Sequence, residues 1–157
     1  MTRLTASLLA ALGSAALLGG AFGFQYIGGM APCHLCLLQR WPHAAAIALG
    51  VLMLALRNTV LARVIPWAGA LAALTTAGIG AYHTGVERKW WLGPSTCTSG
   101  DVSALSAKDL LAKIQAAPVV QCDQVAWEMF GLSMASWNML ASLALVGVWV
   151  YAATRKA

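Results

Sequence analysis

At 157 residues the chain has the length of one domain, but 60% of it is hydrophobic, 10% is charged and the mean hydropathy is +0.72. Ordinary globular domains carry about a quarter charged residues, so a soluble enzyme, a disordered chain and a disulfide-knotted toxin are excluded. The net charge of +5 would suit a nucleic-acid binder, yet the excess bases flank apolar runs, and no nucleic acid is expected as a partner.

Four stretches are free of formal charge: Leu4 to Gln39, Trp41 to Leu56, Val64 to Val86 and Met129 to Thr154. A helix needs about 20 apolar residues to cross a bilayer, whereas a transmembrane barrel would alternate over about ten residues. The chain therefore reads as an all-α membrane protein, a single domain over 1–157 built as a four-transmembrane-helix bundle.

The first span is expected at 4–26, where Gly19 and Gly23 have the spacing that lets helix backbones approach closely, inside the bundle in preference to a dimer face. A basic start followed by an apolar run also resembles a signal peptide. However, the run reaches Phe24, beyond the usual 7–15 residues, and cleavage would put the later basic turn on the wrong side. An uncleaved first span is expected. Gly28 and Gly29 break that helix, and Pro32 suits the first turn of the next. The second span, 32–56, then holds Arg40 at the outer membrane boundary. A turn over 58–62 leads to the third span, 64–82. A long loop follows, and loops of that length are commonly functional. Within it Ser106 and Asp109 form a loose capping box. They would start a short amphipathic helix, with Leu110, Leu111 and Ile114 on one face, lying on the membrane surface. The fourth span is expected at 137–153. Trp41, Trp90, Trp91, Trp127 and Trp137 fall where an outer aromatic belt belongs.

Charge placement orients the bundle. Every acid (Glu87, Asp101, Asp109, Asp123 and Glu128) lies between the third and fourth runs, nearly neutralised by Arg88, Lys89, Lys108 and Lys113. Arg3, Arg57, Arg63, Arg155 and Lys156 mark the other face. The positive-inside rule makes that face cytoplasmic. Both termini are then inside, and the loops at about 27–34 and 84–135 are extracytoplasmic.

All four cysteines, Cys33, Cys36, Cys97 and Cys122, fall on the outer side of this topology. Thiols there tend to be oxidised, so two disulfides are expected, with three connectivities open. Joining neighbours pairs Cys33 with Cys36 and Cys97 with Cys122. Two structural staples in a non-enzymatic membrane scaffold are one reading. A C-x-x-C pair closes almost no loop, however, and stabilisation by a disulfide grows with the loop it closes, so redox activity suits it better. Zinc ribbons usually have two such pairs, and haem attachment needs a histidine where Leu37 stands. No metal, haem or flavin is expected.

Arg40 lies four residues after Cys36, on the same helix face. A guanidinium beside a thiol favours the thiolate, as does the positive end of a helix starting near Pro32. The plainer alternative makes Arg40 a topology anchor or lipid-phosphate contact. His34 is either a second influence on Cys33 or an exposed bystander. Reoxidising a dithiol needs a two-electron acceptor, and without a nucleotide or flavin fingerprint the remaining one is dissolved in the membrane. A quinone fits, held by Arg40. His83 is a second contact or an interfacial histidine without a catalytic task.

With these features the sequence resembles the disulfide bond formation protein B family, bacterial inner-membrane thiol:quinone oxidoreductases. The resemblance covers nearly the whole chain. It rests on four spans, on Cys33-His34-Leu35-Cys36-Leu37-Leu38-Gln39-Arg40 in the first outer loop, and on two further loop cysteines. Cys122-Asp123 through Trp127, then Gly131-Leu132-Ser133-Met134 and Trp137, look like the family's approach to its last helix. The vitamin K epoxide reductase family has similar chemistry, but its C-x-x-C lies late in the bundle. The resemblance implies that a periplasmic DsbA-type thiol oxidase attacks Cys97, that Cys122 exchanges with Cys33, and that Cys36 faces ubiquinone or menaquinone from the membrane pool. It makes Arg40 and His83 the quinone-side residues, although Glu87 to Gly93 departs from the family pattern. A member dedicated to one specialised partner is the variant reading.

Overall fold

The computed structural model describes residues 1–94, 108 and 121–155. Among the described residues four long helices carry the fold: α1 (Arg3–Tyr26), α2 (His34–Leu56), α3 (Ile65–Glu87) and α4 (Met134–Thr154). A 3₁₀ turn, Val60–Arg63, joins α2 to α3, and a small antiparallel hairpin, β1 (Glu128–Met129) with β2 (Leu132–Ser133), leads into α4. The surface helix expected from Ser106 and Asp109 falls outside the described residues, as does Cys97.

Among the described residues α1, α2 and α4 are long and apolar enough to cross a membrane. The third helix is as long as the second but is placed differently: it packs most extensively against α4 and then α2. Enclosure by protein explains its composition. Gly69, Ala70, Ala73, Thr76, Ala77 and Gly80 form its buried row, and polar side chains inside a bundle face one another rather than lipid.

Small residues set the helix spacing. Ala10, Ala11, Ala46, Ala70 and Ala73 surround the fully buried Trp149. A Cβ on Gly69 would stand 2.5 Å from the Trp149 ring, and one on Gly50 would stand 2.3 Å from Ala11 Cβ. Close van der Waals packing of this kind drives association where lipid removes the hydrophobic gain. Gly19 and Gly23 do not make the expected contact inside the bundle: among the described residues a Cβ at either would meet no neighbouring helix within 4 Å. Spacing identifies a smooth face, but which face meets a neighbour depends on the rotation of α1.

The element ends also differ from expectation. The second helix begins at His34 rather than at Pro32, because Cys33 takes the N-cap position. The third continues to Glu87, well past Tyr82. Its extra turn is enclosed: Val86 is buried, Thr84 bonds Ser136 of α4, and Gly85 leaves room for Trp91, whose ring would sit 2.0 Å from an added Cβ. The last helix begins at Met134 rather than Trp137, capped by Ser133, whose hydroxyl accepts the Ser136 N–H. Ahead of it the chain is not purely α: Phe130 and Gly131 both take positive φ, 55° and 74°, the requirement of a tight two-residue hairpin turn.

Arg3 donates to the Arg155 carbonyl, tying the chain ends together, and shares a shallow cavity with Arg57. This basic end lies opposite the end that carries Cys33 and Cys36.

Candidate functional site

The C-x-x-C pair straddles the start of α2. Cys33 has extended backbone, φ −76° and ψ 172°, and its sulphur accepts the Cys36 N–H at 3.2 Å. It thus does the work of a capping serine, satisfying one of the amides orphaned at a helix start. The same geometry brings the two Sγ atoms to 2.8 Å, with Cys33 donating to Cys36. Both are free thiols, so the Cys33–Cys36 disulfide expected from the sequence is not the state of this structure. The hydrogen bond to Cys36, and then burial, push the Cys33 thiol far above its ordinary range. Cys33 therefore keeps its proton and offers it to Cys36, and the helix N-terminus adds positive potential at the Cys36 sulphur.

Cys122 is disulfide-bonded and fully buried. It packs in one cluster with Cys33, Leu35 and Val86, with Cys36 and Ile79 at the margin. The hairpin approach to α4 thus sets the described half of the loop disulfide directly beside the C-x-x-C pair.

His83 is buried beside the same pair, not left at the interface. Its Nε2 lies 3.5 Å from Cys33 Sγ and its Nδ1 lies 3.0 Å from Gln39 Nε2. The hydrogen-bond pattern determines the tautomer. Gln39 Nε2 also donates to the Leu35 carbonyl at 3.1 Å, while Gln39 Oε1 accepts from Asn138 Nδ2 at 2.7 Å. The amide nitrogen therefore gives its second proton to His83 Nδ1, and the neutral ring carries its own proton on Nε2, on the side of Cys33 Sγ and the Cys122 backbone. The Cys33, Cys36 and His83 ligand atoms lie within 4.8 Å of one another, close enough to share a metal ion. In this tautomer, however, His83 turns a proton rather than a lone pair toward the sulphurs.

Glu87, one turn beyond His83, brings Oε1 to 3.8 Å from Nε2 and accepts a hydrogen bond from Ser133. From sequence it was one charge of a solvated loop; in the structure its side chain is largely buried at the site.

Arg40 follows Cys36 by one turn, as expected. Its Nη1 donates to Gln25 of α1 at 2.6 Å, and its guanidinium sits 4.8 Å from the Phe22 ring centre. Its Nε is buried with no hydrogen-bond partner among the described residues. Arg40, Cys36, His83, Gln39 and Glu87 line one cavity of about 350 Å³ to which all four helices contribute. Gly20, an exposed residue, belongs to the same lining, so the cavity reaches the bundle surface. His34 is exposed on the first turn of α2.

Beyond the expected residues, Gln39, His43, Thr76 and Asn138 form a polar network across α2, α3 and α4. Each interrupts an apolar run, which is the signal that marks functional polar groups within membrane spans. Pro42 adds a local reason, since it lacks the amide that would bond the Leu38 carbonyl. Thr76 donates to the next carbonyl, that of Gln39, at 3.2 Å.

A helical membrane bundle with a thiol pair at a helix start, a disulfide packed against it and a cavity reaching it defines a disulfide oxidoreductase. The comparisons agree. The family model described as disulfide bond formation protein DsbB matches residues 3–152, and the chain belongs to that family. Similar relatives include disulfide bond formation protein B 2 of Pseudomonas savastanoi pv. phaseolicola, 30% identical over 91% of this chain and 83% of the relative. Disulfide bond formation protein B of Hahella chejuensis is 29% identical over 99% and 96% of the two chains. The protein of that name from Herminiimonas arsenicoxydans is 44% identical over 46% of each.

Proposed function

We propose that this protein is a thiol:quinone oxidoreductase of the bacterial inner membrane that reoxidises a periplasmic DsbA-type dithiol partner. In the net reaction the partner's two thiols become a disulfide while a quinone, ubiquinone or menaquinone, becomes its hydroquinone. Two electrons and two protons move together. In this reading α3 is the fourth membrane span, both termini are cytoplasmic, and the Cys33 and Cys122 side is periplasmic.

The observation that carries the reading is the cavity at Cys36. Its volume suits a small-molecule site, its walls from α1 are apolar, and Arg40 of its lining has a buried Nε with no partner among the described residues. A donor buried without a partner costs about 1–3 kcal/mol, which a carbonyl oxygen on a ring ligand would recover. The residues present therefore fit a quinone, which when bound supplies a two-electron acceptor dissolved in lipid.

The chain's own residues divide the remaining work. Cys97 receives the partner thiolate. Cys122, packed with Cys33, passes the electron pair inward: its thiolate attacks Cys33 of the Cys33–Cys36 disulfide, forming a Cys122–Cys33 bond and displacing the Cys36 thiolate. Cys33 holds its proton toward Cys36, keeping that sulphur the nucleophilic one. His83 presents Nε2–H to the pair and steadies negative charge on sulphur during exchange. Arg40 balances charge on the Cys36 side.

The test is reoxidation of the chemically reduced protein by a short-chain quinone, followed by thiol alkylation, with extraction of copurified quinone. Reoxidation that is independent of quinone would overturn the assignment. Cys122→Ser should trap the partner on Cys97 as a mixed disulfide, because the resolving thiol is gone. Normal turnover in that variant would overturn the order of exchange.

A further inference from the structure

His43 belongs to the cavity but to none of the chemistry above. It lies on α2 three residues past Arg40, is 3% exposed, and lines the same cavity as Arg40 and Asn138. Its tautomer follows from its neighbours. Thr76 spends its one hydroxyl proton on the Gln39 carbonyl, at 3.2 Å, and so can only accept from His43 Nε2, at 3.3 Å. Asn138 directs Nδ2 to Gln39 Oε1 and to Thr76, leaving Oδ1 to accept from His43 Nε2 at 3.0 Å. Both contacts require a proton on Nε2. The neutral ring then carries a lone pair on Nδ1, and that atom is buried with no hydrogen-bond partner among the described residues.

Two residues of the cavity lining, three apart on α2, thus carry buried groups of opposite kind: a donor, Arg40 Nε, and an acceptor, His43 Nδ1. A quinone offers only acceptor oxygens and complements Arg40. Its reduced form offers hydroxyl donors and complements His43 as well.

Building on the quinone reading of the cavity, we propose that His43 is a second ring-binding residue whose Nδ1 accepts a hydrogen bond from a hydroxyl of the reduced ring. The site thereby favours hydroquinone over quinone at the His43 end.

The experiment is calorimetric titration of the detergent-solubilised protein with a short-chain benzoquinone and with its hydroquinone. Quinone is added to the disulfide form and hydroquinone to the dithiol form, so that neither mixture can exchange electrons. Hydroquinone affinity should fall about five- to tenfold in His43→Leu, the loss expected for one hydrogen bond between uncharged groups, with quinone affinity changing less than about twofold. A second measurement needs no variant in the binding step: in histidine-¹⁵N-labelled wild-type protein the His43 Nδ1 resonance should move upfield with hydroquinone and stay in place with quinone. Equal weakening of both rings in His43→Leu, or an unmoved resonance with hydroquinone bound, overturns the assignment. Wild-type protein that binds neither ring overturns the quinone reading and this inference with it, whereas binding of both without a His43 effect removes His43 alone.

Discussion

Gln39→Leu is the substitution that most directly probes how the buried network serves the thiols. Leucine nearly conserves volume, so the packing of α2 should survive, but three side-chain hydrogen bonds are lost: to the Leu35 carbonyl, to His83 Nδ1 and from Asn138 Nδ2. Asn138 Nδ2 keeps Thr76 as an acceptor, so the main orphan is His83 Nδ1. A buried group without a partner costs about 1–3 kcal/mol, while hydrogen bonds within membrane bundles average about 0.6 kcal/mol. A loss of about 1–2 kcal/mol in detergent unfolding is expected. The functional effect should exceed the structural one. Without Gln39 the His83 proton can move to Nδ1, leaving a lone pair toward Cys33, and a misplaced acid–base group typically costs about 10²–10⁴ in rate. Because His83 can still visit the productive tautomer, a fall of about tenfold in the quinone-dependent reoxidation of Cys33 and Cys36 is expected, read by timed alkylation after reduction. Unchanged reoxidation in a folded variant would refute the argument and reduce the Gln39–His83 contact to packing.

The thiol pair makes a pH-resolved prediction. Cys33 is held protonated first by its bond to Cys36 and then by burial, so at neutral pH its alkylation should be negligible and should rise only in strongly alkaline solution. Cys36→Ala removes the larger cause, and Cys33 alkylation should set in at lower pH; an unshifted profile would mean that burial alone protects it. Gly69→Ala places a methyl group 2.5 Å from the Trp149 ring, and overpacking of this kind should cost about 1–3 kcal/mol in detergent unfolding; wild-type stability would show that Trp149 can move aside. Reporter fusions at Asn58 and Ala157 should read cytoplasm and one at Ser106 periplasm, and the reverse pattern would remove the basis for an oxidising compartment.

The free Cys33–Cys36 pair also bears on the scaffold alternative. A structural staple would be closed and remote from any cavity. Here one sulphur caps a helix and both cysteines line a cavity. That arrangement suits cycling between oxidation states better than permanent cross-linking.

Residue order alone determined what depends on composition and short spacing. Long uncharged runs dictate helices, because in lipid every backbone amide must be satisfied within its own segment. Three residues from Cys33 to Cys36 place one sulphur at the helix start and the other a turn inside, and four more place Arg40 above Cys36; these relations are local and were legible. Relations between helices were not. The burial of His83 beside Cys33, the enclosure of Glu87 and the packing of Cys122 against the thiol pair depend on the rotation of α3 and on the hairpin ahead of α4. The smooth face at Gly19 and Gly23 promised a contact that the rotation of α1 leaves unmade. The network through Gln39, His43, Thr76 and Asn138 could be noticed as polar residues in apolar runs, but its connectivity could not. A hydrogen bond requires two groups within about 3 Å at the right angle, and only the packing of three helices decides which groups meet.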